Sequence, residues 1–180
     1  MNWEIDSTHS QVSFSIRVLS VSTTRGRFNA FRGQIHLDEQ KPANSWVEAE
    51  VDAASIDTHN KLRDAHLRTA KFFEVKQYPT ITFQSTNVEH VGGPHYKVIG
   101  NLTLRGVSKP ITFDVEYRGQ NTIMGMRAAL TAKAQINRND FALGRGAGVQ
   151  FVASETVTIE IDLTAVQKSV EAQEAMALAE

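Results

Sequence analysis

The chain has no cysteine among its 180 residues, which excludes disulfides, thiol catalysis and thiolate metal sites. Histidine gives no metal signature either, because the six histidines form no His-x-His or His-x3-His pair. His59 and His66 lie seven residues apart, which is a weak signal, and solvated or hydrogen-bonded side chains are the better interpretation. We therefore predict no metal site and no cofactor.

The sequence also lacks a charge excess and a long apolar run. Its formal net charge is −1, so no global field attracts a phosphate backbone and we expect no nucleic-acid partner. No window approaches the roughly 20 apolar residues of a membrane-spanning helix. Residues 1–10 show no basic segment followed by an apolar run, so no signal peptide is predicted. We expect a cytoplasmic protein, or a periplasmic one if the chain is the trimmed mature form of a precursor.

What the sequence does have is strict alternation of apolar and polar residues, clearest between residues 96 and 117. Leu102 falls on one apolar parity, and Phe113 falls on the matching parity after the short loop Arg105-Gly106. Side chains alternate between the two faces of a strand, so each half has one apolar and one wet face. Two such halves around a glycine-containing loop predict a β-hairpin.

The same period of two recurs along the chain and predicts about eight strands. One stretch, residues 59–70, breaks the pattern and places Leu62, Ala65 and His66 at helical spacing, which predicts a short crossover helix. The predicted strands cover residues 12–18, 28–37, 46–53, 80–85, 96–104, 107–117, 122–136 and 152–163.

The C-terminal part changes in character after residue 164, where Ala, Gln and Glu replace the alternating pattern. Few large apolar residues remain there, so this tail is either helical or disordered. We predict one domain over residues 1–166 and a tail over residues 167–180.

Eight strands suffice to close a barrel whose interior is either filled by side chains or holds one small ligand. Small residues such as Ala132 on the inner parity favour empty volume, and methionines suit irregular apolar ligands. The predicted lining residues are Phe14, Ile16, Phe31, Phe83, Leu102, Phe113, Met124, Met126 and Leu130.

A polar head group would need a few fixed donors near the mouth of the barrel. Taken singly, His9, Arg63 and Arg138 are each better explained as part of a structural network that ties the helix and loops to the barrel end, together with Asp6, Asp64 and Asp140. The candidates for such a rim are His9, Arg17, Arg63, Asn137 and Arg138.

No catalytic residues are predicted. Ser10 follows His9 directly, and adjacent side chains in a strand point to opposite faces; a Gly-x-Ser-x-Gly elbow is absent. The glycine-rich residues 144–148 are followed by neither a helical pattern nor a Lys-Thr pair, so they do not predict a phosphate loop.

Several short segments, in a characteristic order and spacing, resemble one known family. They are Trp3 with Asp6, His9 and Ser10; Arg63-Asp64-Ala65-His66-Leu67 with Phe72-Phe73; Tyr78-Pro79; residues 100–110; and Asn137-Arg138-Asn139-Asp140-Phe141. From Trp3 to about Val166 the chain is similar to the YceI-like family of polyisoprenoid-binding, lipocalin-like proteins.

The resemblance implies an extended antiparallel, up-and-down, lipocalin-like barrel whose apolar cavity holds a long-chain isoprenoid or another amphiphile. We therefore predict an all-β protein with about eight strands, one crossover helix and either a helix or a disordered tail at the C-terminus. The expected function is non-enzymatic: carriage or storage of a polyprenyl chain, a prenyl quinone or a similar lipid. An enzyme acting on such a lipid inside the barrel, or a stress-related interaction module with a filled core, remain alternatives, and a homodimer is left open.

Overall fold

The computed structural model describes residues 1–123, 125–144, 153–167 and 178. Within these residues the chain forms eleven strands in one antiparallel sheet, together with one short α-helix and four single-turn 3-10 helices. The strands are β1 (Asn2–Ile5), β2 (Gln11–Val18), β3 (Ser22–Phe28), β4 (Phe31–His36), β5 (Trp46–Asp52), β6 (Ile56–Asp57), β7 (Thr80–Gly92), β8 (His95–Leu104), β9 (Val107–Asn121), β10 (Arg127–Asn137) and β11 (Ala153–Gln167), and the helix is α1 (Lys61–Leu67).

The sheet closes on itself because β11 pairs with both N-terminal strands. The C-terminal end of β11 pairs with β1, where Trp3 lies opposite Gln167, and the N-terminal part pairs with β2, where Phe14 lies opposite Ile159. Strands β1 and β2 therefore share one position in the barrel, and β3 and β4 share the next. With β5 and β7–β11 this makes eight positions, so the predicted eight-stranded antiparallel barrel with one helix is confirmed.

The two ends of the barrel differ. At one end β1 pairs continuously with β4 and β11, and we call this the Trp3 end. At the other end β3 pairs only with β2 and the two-residue β6, and α1 begins four residues after β6 ends. We call this second end, which also carries the β2–β3 hairpin and residues 138–144, the α1 end.

Hairpin β8–β9 has the predicted two-residue turn, with Leu104 paired to Val107. Arg105 takes a left-handed conformation with φ of 52°, which is unusual for a side chain other than Gly, Asn or Asp. Its guanidinium donates to the carbonyl oxygens of Ala142 at 2.7 Å and Ala70 at 2.6 Å. The turn therefore lies at the α1 end and fastens two covering segments to the barrel.

Several element boundaries differ from the sequence-based prediction. No strand was predicted over residues 19–27, but β3 begins at Ser22. Strand β1 was not predicted, β9 continues to Asn121, and β10 begins at Arg127. Strand β11 continues to Gln167, past residue 164 where the alternating pattern was expected to end, and apart from Gln167 and Leu178 the predicted tail lies outside the described residues.

Two apolar clusters fill the interior around the central space. The larger one includes Phe83, Phe113 and Phe141 and runs along the sheet, and the smaller one is built on Trp3, Ala128 and Ala165. Trp3 is only 2% exposed, so the smaller cluster seals the Trp3 end. In the described part of the chain, no helix has the length and apolar character needed to cross a lipid bilayer.

Candidate functional site

A cavity of about 460 Å³ occupies the barrel interior. Strands β2 to β5 and β7 to β11 all contribute to its wall, and α1 and the segment that follows it cover one end. The wall spans seven residues on each of several strands, from Val98 to Leu104 on β8 for example, which is about 20 Å of strand length. The volume lies in the range of about 300–1,000 Å³ found for small-molecule sites.

Most of the predicted lining residues do face this cavity. Met126 does not: it precedes β10 and packs against the cluster that seals the Trp3 end. Met124 lies outside the described residues. The predicted residues found in the wall are Phe14, Ile16, Phe31, Phe83, Leu102, Phe113 and Leu130.

Two glycines help to keep the cavity open. Gly26 lies directly opposite Phe14 on the neighbouring strand, and a Cβ atom on Gly26 would overlap the Phe14 ring. The Phe83 ring lies over Gly100 in the same way. Because each ring lies against bare backbone, it lines the wall and leaves the centre of the barrel free.

Aromatic side chains also close the wall where hydrogen-bonded strand pairing ends. Phe28 contacts Phe14 at a ring-centroid distance of 5.7 Å and Phe73 at 5.8 Å. Phe73 and Phe72 follow α1, so the crossover segment contributes directly to the lining. The sequence-based prediction did not include these two residues, or Phe28, in the site. Phe28 was left out because it does not fall on the same alternating parity as Phe31, which was predicted to face inward.

The predicted rim residues separate into two groups. Arg63 and Arg138 line the cavity at the α1 end. Arg17 is exposed and does not line the cavity, and Asn137 caps the next turn by accepting a hydrogen bond from the Asn139 backbone N–H at 2.9 Å. Only two of the five candidates are therefore positioned to meet a molecule inside the barrel.

His9, the fifth candidate, belongs to a polar network at the Trp3 end. Its Nδ1 lies 2.8 Å from Asp6 Oδ2, and the same oxygen accepts a hydrogen bond from Arg127 at 2.9 Å. The hydrogen bond with His9, followed by that from Arg127, holds the pKa of the Asp6 carboxyl below its usual value against the opposing effect of burial. The network joins the segment after β1 to the start of β10, as expected for a structural role.

We expect Asp6→Asn to destabilise the fold by about 1 kcal/mol at pH 7, because charge-assisted hydrogen bonds to Arg127 and His9 are lost. A carboxyl whose folded-state pKa is lowered stabilises the fold above its unfolded pKa of about 3.9 and loses this effect as the pH falls through the folded value. The difference between wild type and variant should therefore shrink below about pH 4. Urea unfolding of wild type and variant from pH 3 to 7 measures this difference in the free energy of unfolding.

Asp162→Asn is the matched control, because Asp162 is an exposed carboxylate of β11 whose side chain has no ion pair or hydrogen bond with the described residues. It should leave stability unchanged across the same pH range. An equal effect of both substitutions would contradict the role assigned to Asp6.

The described residues contain no group of three or more His, Cys, Asp or Glu side chains that could hold a metal ion. Among the described residues that line the cavity there is also no aspartate or glutamate. The site is thus a long apolar space with cationic and hydroxyl groups at its α1 end, an arrangement suited to enclosing a hydrocarbon chain.

A closed antiparallel barrel around one apolar cavity defines the class of lipocalin-like β-barrel proteins. The profile of the YceI-like domain matches residues 3–165. The chain belongs to the YceI-like family, as its sequence motifs predicted.

Proteins of several bacteria are similar to this chain over most of its length. A UPF0312 protein of Vibrio cholerae is 36% identical over 163 residues, which cover 89% of this chain and 83% of that protein. A UPF0312 protein of Yersinia pestis is 37% identical over 161 residues, with coverages of 88% and 82%.

Solved structures agree with the fold. The crystal structure of BcnA from Burkholderia cenocepacia superposes with a TM-score of 0.83 at 26% identity, covering 89% of this chain and 98% of that one. A polyisoprenoid binding domain from Saccharophagus degradans, implicated in plant cell wall breakdown, superposes with a TM-score of 0.69 at 19% identity, with coverages of 92% and 98%. At that identity the second likeness concerns the fold alone.

Proposed function

We propose that this protein binds one isoprenoid lipid, such as a polyprenyl chain or a prenyl quinone, or a similar long-chain amphiphile, and carries or stores it. The observation that supports this most is the cavity of about 460 Å³ in the barrel interior, with an almost wholly apolar wall. Removing about 300 Å² of hydrocarbon from water contributes on the order of 7 kcal/mol before ordering costs are subtracted. The polyisoprenoid-binding role described for the neighbour from Saccharophagus degradans is consistent with the proposal.

A binding role is favoured over a catalytic one. General acid–base chemistry needs titratable groups within hydrogen-bond reach of the reacting atoms. Among the described lining residues, His66 is the one histidine, and its ring packs edge-on against Phe72 at a centroid distance of 5.0 Å. The open cavity also disfavours the alternative of a filled core. The cellular compartment stays a prediction from the sequence, and the formation of a homodimer stays open.

Native mass spectrometry of the purified protein, followed by solvent extraction and analysis of the extract, tests the proposal. We expect a mass increment that disappears on extraction, and a recovered lipid with an isoprenoid or long acyl chain. Ligand-free protein that also takes up neither prenyl lipids nor fatty acyl lipids would refute it. In that case, a stress-related interaction module with a filled core would be the better explanation of the fold.

A further inference from the structure

We propose that the α1 end of the cavity is an oxyanion site, and that the bound lipid carries an anionic head group, a carboxylate or a phosphate, held by Arg138 and Arg63. This inference rests on the proposed function, which requires only an apolar chain. The inference specifies the charge of the ligand's head group and the orientation of the ligand in the barrel.

Arg138 is a buried cation without an ion-pair partner among the described residues. Its side chain lines the cavity, the residue is only 3% exposed, and no carboxylate among the described residues forms an ion pair with it. The sequence from 145 to 152, which follows this segment, contains no Asp or Glu. An unpaired charge taken out of water costs free energy, so a ligand that supplies the opposite charge gains from pairing with it.

Hydrogen bonds hold the guanidinium of Arg138 in place, but among the described residues not every one of its N–H groups has an acceptor. Nε donates to the carbonyl oxygen of Ser154 at 3.0 Å, and Nη2 donates to that of Ala153 at 3.4 Å. Nη1 donates to the carbonyl oxygen of Leu143 at 3.1 Å and to Asn139 Oδ1 at 3.4 Å. A guanidinium has five N–H groups, so one N–H of Nη2 has no acceptor in the described part of the chain. The charge is thus fixed in position by neutral acceptors.

Arg63 supplies a second guanidinium in the same cavity lining. Its Nε donates to Thr58 Oγ1 at 2.8 Å and its Nη2 to the Thr58 carbonyl oxygen at 2.7 Å, which leaves both N–H groups of Nη1 without an acceptor among the described residues. The nearest acid in sequence, Asp64, is buried and accepts hydrogen bonds from the Thr58 backbone and hydroxyl instead. Thr58 therefore separates Asp64 from Arg63, and Arg63 keeps donors for a ligand.

The remaining charged group of the lining does not compete for an anion. Arg32 is paired with Glu50 at 2.6 Å and its side chain is mostly exposed. Because the Trp3 end is sealed by apolar side chains and the free guanidinium donors lie at the α1 end, the hydrocarbon tail points toward Trp3 and the head group lies beside α1. Planar guanidinium groups match carboxylate and phosphate oxygens well.

The test compares ligands that share a tail and differ in head-group charge. cis-Parinaric acid and its methyl ester form one pair, read out by fluorescence, and geranylgeranyl phosphate and geranylgeraniol form the second, measured by displacement. We expect each anion to bind about tenfold more tightly than its neutral partner, as one charge-assisted interaction implies. Arg63→Gln should reduce this preference about fivefold or more and leave the neutral ligands unaffected.

Arg138→Met removes the buried charge, and its circular dichroism spectrum reports whether the fold is kept. If the variant folds, it too should lose the preference; if it does not, Arg63→Gln alone decides. Arg17→Gln is the matched control, since it removes an exposed arginine of β2 that does not line the cavity. It should change neither affinity nor preference.

The outcomes separate the two proposals. Equal affinity for anionic and neutral partners in the wild type, or a preference that survives in folded Arg63→Gln, would overturn the oxyanion site while leaving lipid binding intact. Binding of none of the four ligands would overturn the proposed function itself. A preference confined to one pair identifies the head group as carboxylate or as phosphate.

Discussion

Phe113→Asp is expected to abolish lipid binding and to destabilise the barrel by about 4 kcal/mol or more, since large-to-small core substitutions alone cost 3–5 kcal/mol for phenylalanine. Phe113 is 7% exposed and its ring packs edge-on against Phe83 at a centroid distance of 5.2 Å. The substitution removes this contact and places an isolated carboxylate in the cavity wall, where no described lining residue nearby on β9 offers a cation. Total stabilities of 5–15 kcal/mol are typical, so a loss of this size removes a large share of the free energy of unfolding.

The pH dependence of this variant gives an additional test. Burial raises the pKa of an introduced carboxyl, so the folded state binds a proton more readily than the unfolded state. Stability of the variant should then rise as the pH falls from 7 toward 4, opposite to the effect expected at Asp6. Urea unfolding at several pH values and binding of parinaric acid methyl ester, which carries no charge, provide the two measurements.

Two substitutions control for the site and for the charge. Phe113→Leu keeps an apolar wall and should cost no more than about 1–2 kcal/mol. Thr112→Asp places the same carboxylate one residue away on the exposed outer face and should leave both stability and binding close to wild type. Wild-type lipid uptake by Phe113→Asp would show that the wall tolerates a charge and would contradict the assigned apolar site.

The barrel could be predicted because its strands obey a local rule. Alternation with a period of two fixes which side chains of a strand share a face, and it requires no knowledge of the partner strand. Strand β1 escaped prediction because it has four residues and is held by β4 and β11, which are distant in sequence. Strand β3 was not predicted because Gly26 takes the place of an apolar residue that would complete the alternating pattern. The glycine at this position makes room for the Phe14 ring.

The candidate site was predicted in part for a related reason. Parity indicates the face of a strand but not the height along the barrel, so Met126 falls on the inner parity yet lies at the sealed Trp3 end. The rim residues were harder, because position near a strand end does not reveal which end of the barrel it forms. His9 follows β1 and lies at the Trp3 end, whereas Arg63 and Arg138 come from a helix and a turn that cover the other end.

Ala132→Phe is expected to reduce lipid affinity about 100-fold without unfolding the protein. Ala132 is 8% exposed and lines the cavity in the middle of β10, between Val115 on β9 and Ile161 on β11. A phenyl ring at this position enters the space that the lipid chain would fill. Displacing about 100 Å² of buried lipid chain weakens the binding free energy by roughly 2.5 kcal/mol, which corresponds to about a 70-fold increase in the dissociation constant.

The folded protein should tolerate this change because the new ring enters empty space. Overpacking costs 1–3 kcal/mol where a core is already dense, whereas filling a cavity commonly stabilises by about 0.5–2 kcal/mol. Thr131→Phe is the matched control: it adds the same ring to the next residue of β10, which faces outward beside Glu116 and Asp162. Titration with geranylgeraniol and urea unfolding of both variants separate binding from stability. If Ala132→Phe binds the lipid as tightly as Thr131→Phe, the chain does not pass β10, and the ligand must lie elsewhere than in the barrel interior.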